Sequence, residues 1–404
     1  MNSSALAGIR IADFSQFWAG PYAATLLSYM GAEVIKIESV KRPDGSRKVS
    51  LSTGLRYPGL EQSPVFAEVS ANRLDVTLDL TKPKAVELAK RIVRVSDVVV
   101  QNFSPGVMDR LGLGYESLIG VKPDVVYLSS SAVGATGPER SYRGYAPLFA
   151  CQGGAAYITG YADGDPYPMT GRIDILSAMT SAFAILAALG HRQRTGEGQH
   201  IDMSSAECVA VLLGDVLMDY IMNARSQTRR GNRDDIMAPH NCYRCKGDDK
   251  WVSIAISTDE EWNAFTSAIG NPPWSKNERF SDAYSRWRNQ EELDRLIEEW
   301  TINHTHYEVM EILQGAGVAA MPSFSNVELV SDPHFKARDQ AIELEHPVIG
   351  KVIMLRPPWK LSATPARVHS PGPLLGQHNS YVFGELLGMS GGEIQSLIQE
   401  QVIH

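Results

Sequence analysis

Apolar residues in the first third of the chain fall into short blocks separated by stretches with helical spacing. Residues 9–14 make a strand-like run, a loop follows over residues 15–20, and Pro21 stands where the first turn of a helix tolerates a missing N–H. Small and apolar residues continue to Met30, Gly31 ends the helix, and residues 33–38 read as the next strand. A strand, a helix and a strand in this order build parallel sheets, since parallel neighbours need a crossover. The alternation goes on with a strand over residues 74–80, a helix over 84–95 with apolar positions at Val86, Leu88, Ile92 and Val93, and strands over 97–101 and 125–129. The first half is therefore expected to form a Rossmann-like, open, mostly parallel α/β sheet.

Beyond it the pattern changes. A long helix is expected over residues 175–191, and the polar turn over 194–199 leads through Ile201-Asp202-Met203 into a second helix ending near Asn223. Residues 229–235 read as an exposed connection. Residues 242–256 predict a hairpin turned at Gly247-Asp248-Asp249, followed by helices that carry Trp262, Phe265, Trp287, Leu293, Ile297 and Trp300, which makes a smaller α+β domain. The most apolar helical stretch, residues 182–190, is shorter than the roughly 20 residues a bilayer crossing needs and is expected to be a buried helix.

Composition narrows the function. The 404 residues are 44% hydrophobic with a formal net charge of −8, so neither nucleic acid nor an anionic membrane is the expected partner, and a polyanionic ligand must find a local basic cluster. The first ten residues lack a basic segment followed by an apolar run, which predicts a cytoplasmic location. Four cysteines are too few for a disulfide framework; Cys242 and Cys245 follow His240 without a second ligand pair at zinc spacing, and His304 and His306 are expected to be solvated, so no metal is expected. Glu38 ends the second strand where dinucleotide folds place a ribose-binding acid, but the first turn, Ser15-Gln16-Phe17-Trp18-Ala19-Gly20, lacks the G-x-G-x-x-G pattern. The chain also contains no P-loop and no G-x-S-x-G elbow.

The residue with the most chemical promise is Asp174, where a Gly- and Pro-rich loop (residues 160–173) enters the long helix. A carboxylate there is held near backbone N–H groups and is placed to act as nucleophile or base. The alternative is a plain N-cap, a position that favours Asp for its own sake.

Six motifs occur in one order along the chain: Ala19-Gly20-Pro21; Gly31-Ala32-Glu33-Val34-Ile35-Lys36-Ile37-Glu38; Asn102-Phe103-Ser104-Pro105-Gly106 with Asp109-Arg110-Leu111-Gly112; Thr136-Gly137-Pro138; the Asp174 loop; and Gly196-Glu197-Gly198-Gln199. In this series the chain resembles the class III CoA-transferases, a family of formyl-CoA, carnitine and aryl- or alkylsuccinate CoA-transferases with related acyl-CoA racemases. The resemblance implies an interlocked, ring-like dimer, either a homodimer or a heteromer with a paralogous subunit, whose active site lies between one subunit's large domain and the other's small domain. It implies a large CoA-binding α/β domain over residues 1–200, a linker helix over 201–232, a small α+β domain over 233–328, and a return linker and C-terminal part of the large domain over 329–404. Asp174 matches the family's nucleophile, which carries first an acyl group as an anhydride and then CoA as a thioester. No tightly bound cofactor is implied; a coenzyme A thioester is the cosubstrate.

By the same resemblance Ala19, Leu78, Asp79, Leu80, Thr81, Asn102, Phe103, Ser104, Arg110 and Arg143 occupy CoA-contacting positions, with Arg110 and Arg143 toward phosphate and Phe103 toward adenine. Ser39 replaces an arginine of the formyl-type enzymes, so Lys41, Arg42 and Arg47 are candidates to substitute for it. Trp18 replaces a glutamine, and the mobile tetraglycine loop has no counterpart, its region running through Pro239, His240 and Asn241. A bulkier acyl group than formyl or oxalyl follows from these departures. Trp18, Arg47, Tyr145, Arg172 and His240 are the substrate-side candidates, Arg47 and Arg172 as anchors for a distal carboxylate. The expected reaction moves CoA from a donor such as succinyl-CoA to a dicarboxylate such as a substituted succinate. Two rivals stand beside it: a racemase of the same superfamily, whose Gly-His-Asp motif is here Gly144-Tyr145-Ala146, and a catalytically silent subunit of a heteromer.

Overall fold

Strands β1 (Arg10–Asp13), β2 (Glu33–Glu38), β3 (Arg73–Thr77), β4 (Val98–Gln101), β5 (Val126–Ser131) and β6 (Gln199–Ser204) form one parallel sheet in the order β3-β2-β1-β4-β5-β6. This computed structural model describes residues 4–50, 54–169 and 171–404. The same part of the chain carries α1 (Ala19–Tyr29), α2 (Pro83–Arg94), α3 (Val107–Arg110), α4 (Ala146–Gln152), α5 (Arg172–Thr195), α6 (Ser205–Ala210) and α7 (Gly214–Asn223).

Successive side chains of a strand point to opposite faces, and both faces of this sheet are covered. Ala12, Ile35, Val76 and Val99 pack with Leu88 and Ile92 of α2 and with Val382 and Phe383 near the C-terminus. Ile11, Val34, Val98 and Val100 pack with Leu27 of α1 and with Ile185 and Leu189 of α5. Apolar residues at both strand parities explain the unbroken apolar runs of the sequence. Chain order reverses between β1 and β4, and the carboxyl ends of these two strands flank the place where open α/β sheets take ligands.

Three local expectations change. Residues 199–204 lead into a helix in the sequence pattern but form β6, paired with β5 from Val126↔Gln199 to Ser131↔Ser204; as an edge strand it stays largely uncovered, which hides its signal. The second helix is interrupted at Val211–Leu213 and splits into α6 and α7. The long helix α5 runs for 24 residues and, by length and composition alone, is long enough to cross a membrane, unlike the short stretch expected. Its inner residues, including Ala178, Ile185 and Leu189, are buried, and it packs on α1 and the sheet.

The chain divides into two compact units. One holds residues up to Ile158, Tyr167–Gln227 and Lys336–His404; the other holds Thr159–Pro166 and Thr228–Phe335. The second unit is built on the antiparallel sheet β7 (His240–Arg244), β8 (Trp251–Ala255) and β9 (Ala319–Pro322), with α8 (Asp259–Ala268), α9 (Gln290–Thr301) and α10 (His306–Gly315). Its core joins Tyr243, Val252 and Ile254 to Trp262, Phe265, Leu293, Ile297 and Leu313. Among the described residues no group of three or more His, Cys, Asp or Glu is arranged to hold a metal.

Candidate active site

The loop after β1 is tied to the loop after β4 by one side chain. Asn102 Oδ1 accepts the Gln16 N–H at 2.7 Å and Asn102 Nδ2 donates to the Gln16 carbonyl at 2.7 Å. Buried charges on and after β2 hold the same loop from below: Lys36 donates to the Ser15 carbonyl at 2.9 Å and pairs with Asp44 at 2.8 Å, and Asp44 Oδ1 accepts the Phe17 N–H at 3.0 Å. The loop delivers Trp18, the N-cap residue of α1, and Ala19, whose side chain is covered. Gly20 is required by close approach, because a Cβ there meets Ser15 Cβ at 2.4 Å. What α1 offers a ligand at this end is the positive end of its dipole and its free N–H groups.

Of the positions matched to CoA contacts, several spend their side chains internally. Leu78 is buried, with its N–H on the Glu38 carbonyl. Asp79 is held ionised, its carboxyl at about 2, first by the hydrogen bond from Lys41 and then by Thr81. Leu80 packs against the core, and Thr81 is exposed with its hydroxyl on Asp79. Phe103 and Ser104, by contrast, line a cavity of about 410 Å³ at the ends of β4 and β5, together with Tyr115, Ser129, Arg140 and His200. The Phe103 N–H is fixed on Gln101 Oε1, while Gln101 Nε2 donates to Ser129 Oγ, which lies 2.9 Å from His200 Nε2. Arg110, on α3, and Arg143 are exposed and make no ion pair among the described residues, leaving both guanidinium groups available to an anion.

Nothing in the sequence pattern singles out Tyr115, Ser129, Arg140 or His200 for this cavity. His200 directly follows the Gly196-Glu197-Gly198-Gln199 motif, which was the one available signal, but only the pairing of β6 with β5 puts it beside Ser129.

Asp174 is not an N-cap. Gly171, in the left-handed region at φ 79°, caps α5, and Asp174 is the third residue of the helix. No donor among the described residues reaches its carboxylate. Burial pushes that carboxyl up to about 6, while the positive end of α5 favours the ionised form. At neutral pH the group is thus mostly ionised and not engaged by a hydrogen bond. Its neighbour Ile173 shares a small core with Ala146 and Phe149 of α4. Tyr145, which precedes α4, is exposed and sets its ring edge-on to Phe17 at 6.4 Å. Arg172 is exposed, its Nη1 3.5 Å from the Tyr167 hydroxyl.

Arg47 is not available as a substrate anchor. Its side chain is fully buried, pairs with Glu38 at 2.8 Å, Glu61 at 2.8 Å and Asp75 at 3.3 Å, and lies 3.6 Å over the Phe66 ring. Burial and the Glu38 charge push the Asp75 carboxyl well above the usual range. Burial works the same way on Glu38, but Lys36, the Asp75 hydrogen bond and Arg47 outweigh it and hold Glu38 at about 2. Glu38 is consumed by this network, so its likeness to a ribose-binding acid ends at sequence position. His240 opens β7 in the second unit, with Nδ1 2.6 Å from the Asn232 carbonyl.

The protein is an open parallel α/β protein with a cavity at its strand ends and, in a helical first turn, a carboxylate that no donor among the described residues engages. Residues 6–379 match CoA-transferase family III, and the chain belongs to that family. It is 34% identical to the succinyl-CoA–D-citramalate CoA-transferase of Chloroflexus aurantiacus, over 98% of this chain and 97% of that one. It is 33% identical to the alpha subunit of a succinyl-CoA–L-malate CoA-transferase from the same organism, over 98% and 92%. A crystal structure of a CAIB/BAIF family protein from Brucella suis superimposes with a TM-score of 0.86 at 30% identity, covering 95% of this chain and all of that one. The protein is thus an enzyme of the CoA-transferase type, acting on CoA thioesters and carboxylic acids.

Proposed function

We propose that the enzyme moves CoA from succinyl-CoA to a second dicarboxylic acid through covalent intermediates on Asp174. The Asp174 carboxylate attacks the thioester carbonyl, forming a mixed anhydride and releasing CoA thiolate. The thiolate attacks the aspartyl carbonyl, giving an Asp174–CoA thioester and free succinate. The acceptor carboxylate attacks that thioester, forming a second anhydride, and the released thiolate takes the acceptor's acyl carbon, returning Asp174 as a carboxylate. One thioester replaces another, so no nucleotide hydrolysis is needed. A carboxylate is a weak nucleophile, and placement has to supply much of the rate; oriented groups reach effective molarities of about 10⁵ M or more.

The observation that carries this reading is the Asp174 carboxylate, partly buried and engaged by no donor among the described residues. A carboxylate spent on a cap or a salt bridge has to be freed first; this one does not. The succinyl donor is favoured by the activities named for the two Chloroflexus relatives. Arg110 and Arg143 are assigned to CoA phosphates because their guanidinium groups are exposed and make no ion pair among the described residues, and the α1 N-terminus adds an uncharged anion site. Incubation with succinyl-CoA followed by hydroxylamine or borohydride trapping tests the route: modification must fall on the peptide containing Asp174, and an unmodified peptide during turnover refutes it.

The enzyme is also proposed to work as an interlocked dimer, with itself or with a paralogous subunit. None of the ten residues of α7 is buried although Leu217, Met218, Ile221 and Met222 lie on it, and α5 exposes Met179 and Phe183. Apolar faces of this extent are normally covered by another protein surface. Light scattering that finds a monomer at assay concentration rejects the dimer.

A further inference from the structure

A line of polar side chains crosses one face of the main sheet at its carboxyl edge. Gln101 closes β4 and is paired in register with Ser129 of β5, while β6 pairs His200 with Tyr127, two residues before Ser129 and therefore on the same face. Gln101 and Ser129 are buried, and His200 stands on the exposed edge strand. The line ends where the chain leaves β4 for Phe103 and Ser104, which wall the cavity of about 410 Å³ ahead of α3. We infer that Ser129 and His200 are positioning residues for CoA, acting through Gln101 to fix the β4 loop in the form that receives the thioester.

The direction of the chain is set at its loop end. A backbone N–H can only donate, so the Gln101 atom that faces the Phe103 N–H at 2.8 Å is the oxygen, and Gln101 Nε2 donates to Ser129 Oγ at 2.8 Å. Having accepted that bond, the Ser129 hydroxyl keeps its own proton for His200 Nε2 at 2.9 Å. The imidazole is held for this by stacking on Tyr115 at 5.2 Å and by an edge contact with Tyr127 at 5.5 Å; Tyr127 is itself buried, with its hydroxyl on the Leu113 carbonyl at 3.1 Å. Without Ser129 the Gln101 amide loses the partner that distinguishes its two ends. Rotated by half a turn it presents an N–H to the Phe103 N–H, and the loop is released.

The task of the loop follows from its place. Open α/β sheets take ligands at the carboxyl ends of their strands beside the reversal of chain order, which here lies between β1 and β4. Asn102 ties the loop to the β1 loop on that side, and Gln101 ties it to β5 and through Ser129 to β6 on the other, so consecutive residues set it from both directions. Arg110, assigned above to a CoA phosphate, follows on α3. The inference rests on that CoA-binding reading and adds to it two groups that govern affinity without being ligands.

The test is CoA binding by titration calorimetry, read beside the melting temperature. Ser129→Ala is expected to weaken CoA about tenfold, and His200→Phe, which keeps the stacking surface, about fivefold. Both should melt within about two degrees of the native protein. Ser129→Thr and His200→Gln return the hydroxyl and the acceptor and should recover most of the affinity. In turnover KM for succinyl-CoA should rise by the same factors while kcat changes less than about twofold. In a Ser129→Ala background His200→Phe should cost nothing more, because the chain is already cut; a further loss makes His200 a direct ligand and overturns the inference. Native CoA affinity in both single variants overturns it too, as does a loss that the two conservative replacements leave unrepaired. CoA binding needs no covalent step, so these results stand or fall apart from the trapping of Asp174: a failed trapping removes the proposed mechanism, and an unmoved CoA affinity removes only the positioning role.

Discussion

The side-chain amide of Asn102 closes a two-bond clip on the backbone of Gln16, 86 residues away, and so locks the β4 loop to the β1 loop at the reversal point of the sheet. A position that the family resemblance assigns to CoA contact therefore works first as a brace, and its effect on CoA is expected to pass through the loop it holds.

Replacing Asn102 with Ala strands a backbone donor and acceptor on Gln16, a loss of about 1–3 kcal/mol. Urea denaturation should show that loss together with a raised KM for CoA esters. An Asn102→Ala protein of native stability with weakened CoA binding would instead make the amide a direct ligand.

The pH profile should report Asp174. Only the ionised carboxylate attacks a thioester, and its carboxyl stands at about 6. Initial rates under kcat/KM conditions should fall about tenfold per pH unit below that point and level off above it. A profile flat down to pH 5 places the nucleophile elsewhere.

The same burial sets a stability effect of opposite sense to that of an ordinary salt-bridged acid. The folded protein holds the Asp174 proton more tightly than the unfolded chain, where the carboxyl titrates near 3.8, so the ionised group costs stability at neutral pH and the cost vanishes as pH falls below that value. Asp174→Asn should thus be inactive yet more stable by about 1–3 kcal/mol at pH 7, with the advantage gone by about pH 4. Thermal melts of both proteins across that range decide it.

Arg47 should behave as a structural residue. Arg47→Met leaves Glu38, Glu61 and Asp75 without their shared cation, a loss of about 3–5 kcal/mol when one partner of a buried pair is removed. Denaturation should register it before any change in acceptor KM; a well-folded variant altered only in acceptor KM would return Arg47 to the substrate.

Arg110 and Arg143 are the contrasting case. Each is exposed, so replacement by Ala should leave the melting temperature unchanged within about a degree or two, while raising KM for CoA thioesters about tenfold and reducing its salt dependence. An unchanged KM in both variants removes the phosphate assignment.

How far the sequence reached follows the range of the interactions involved. The strands of the main sheet apart from β6, helices α1 and α2 and the hairpin of the second unit were legible because each is written in a local pattern: runs of Val and Ile buried on two faces, 3.6-residue spacing, and glycine at a turn. The family was legible for another reason, since six short motifs in fixed order are a property of the linear chain. β6 was not, because its alternation rests on two apolar residues alone, Ile201 and Met203, directly after a polar turn, and the strand is defined by its pairing with β5.

Residue roles divide along the same line. Sequence alone singled out Asp174 and placed it at a loop-to-helix junction, but the left-handed Gly171 and the packing of Ile173 moved the helix start three residues earlier, turning a cap into a first-turn carboxylate that no donor among the described residues engages. The sequence reading likewise took all three of Arg47, Arg110 and Arg143 for ligand-binding cations, Arg47 toward a carboxylate and the other two toward phosphate. Their difference lies in what folding brings near them: Glu38, Glu61, Asp75 and Phe66 converge on Arg47, and among the described residues no acid pairs with the other two. A side chain's type is fixed by its codon, while its availability depends on burial and on neighbours distant in sequence, and those exist only once the sheet has closed.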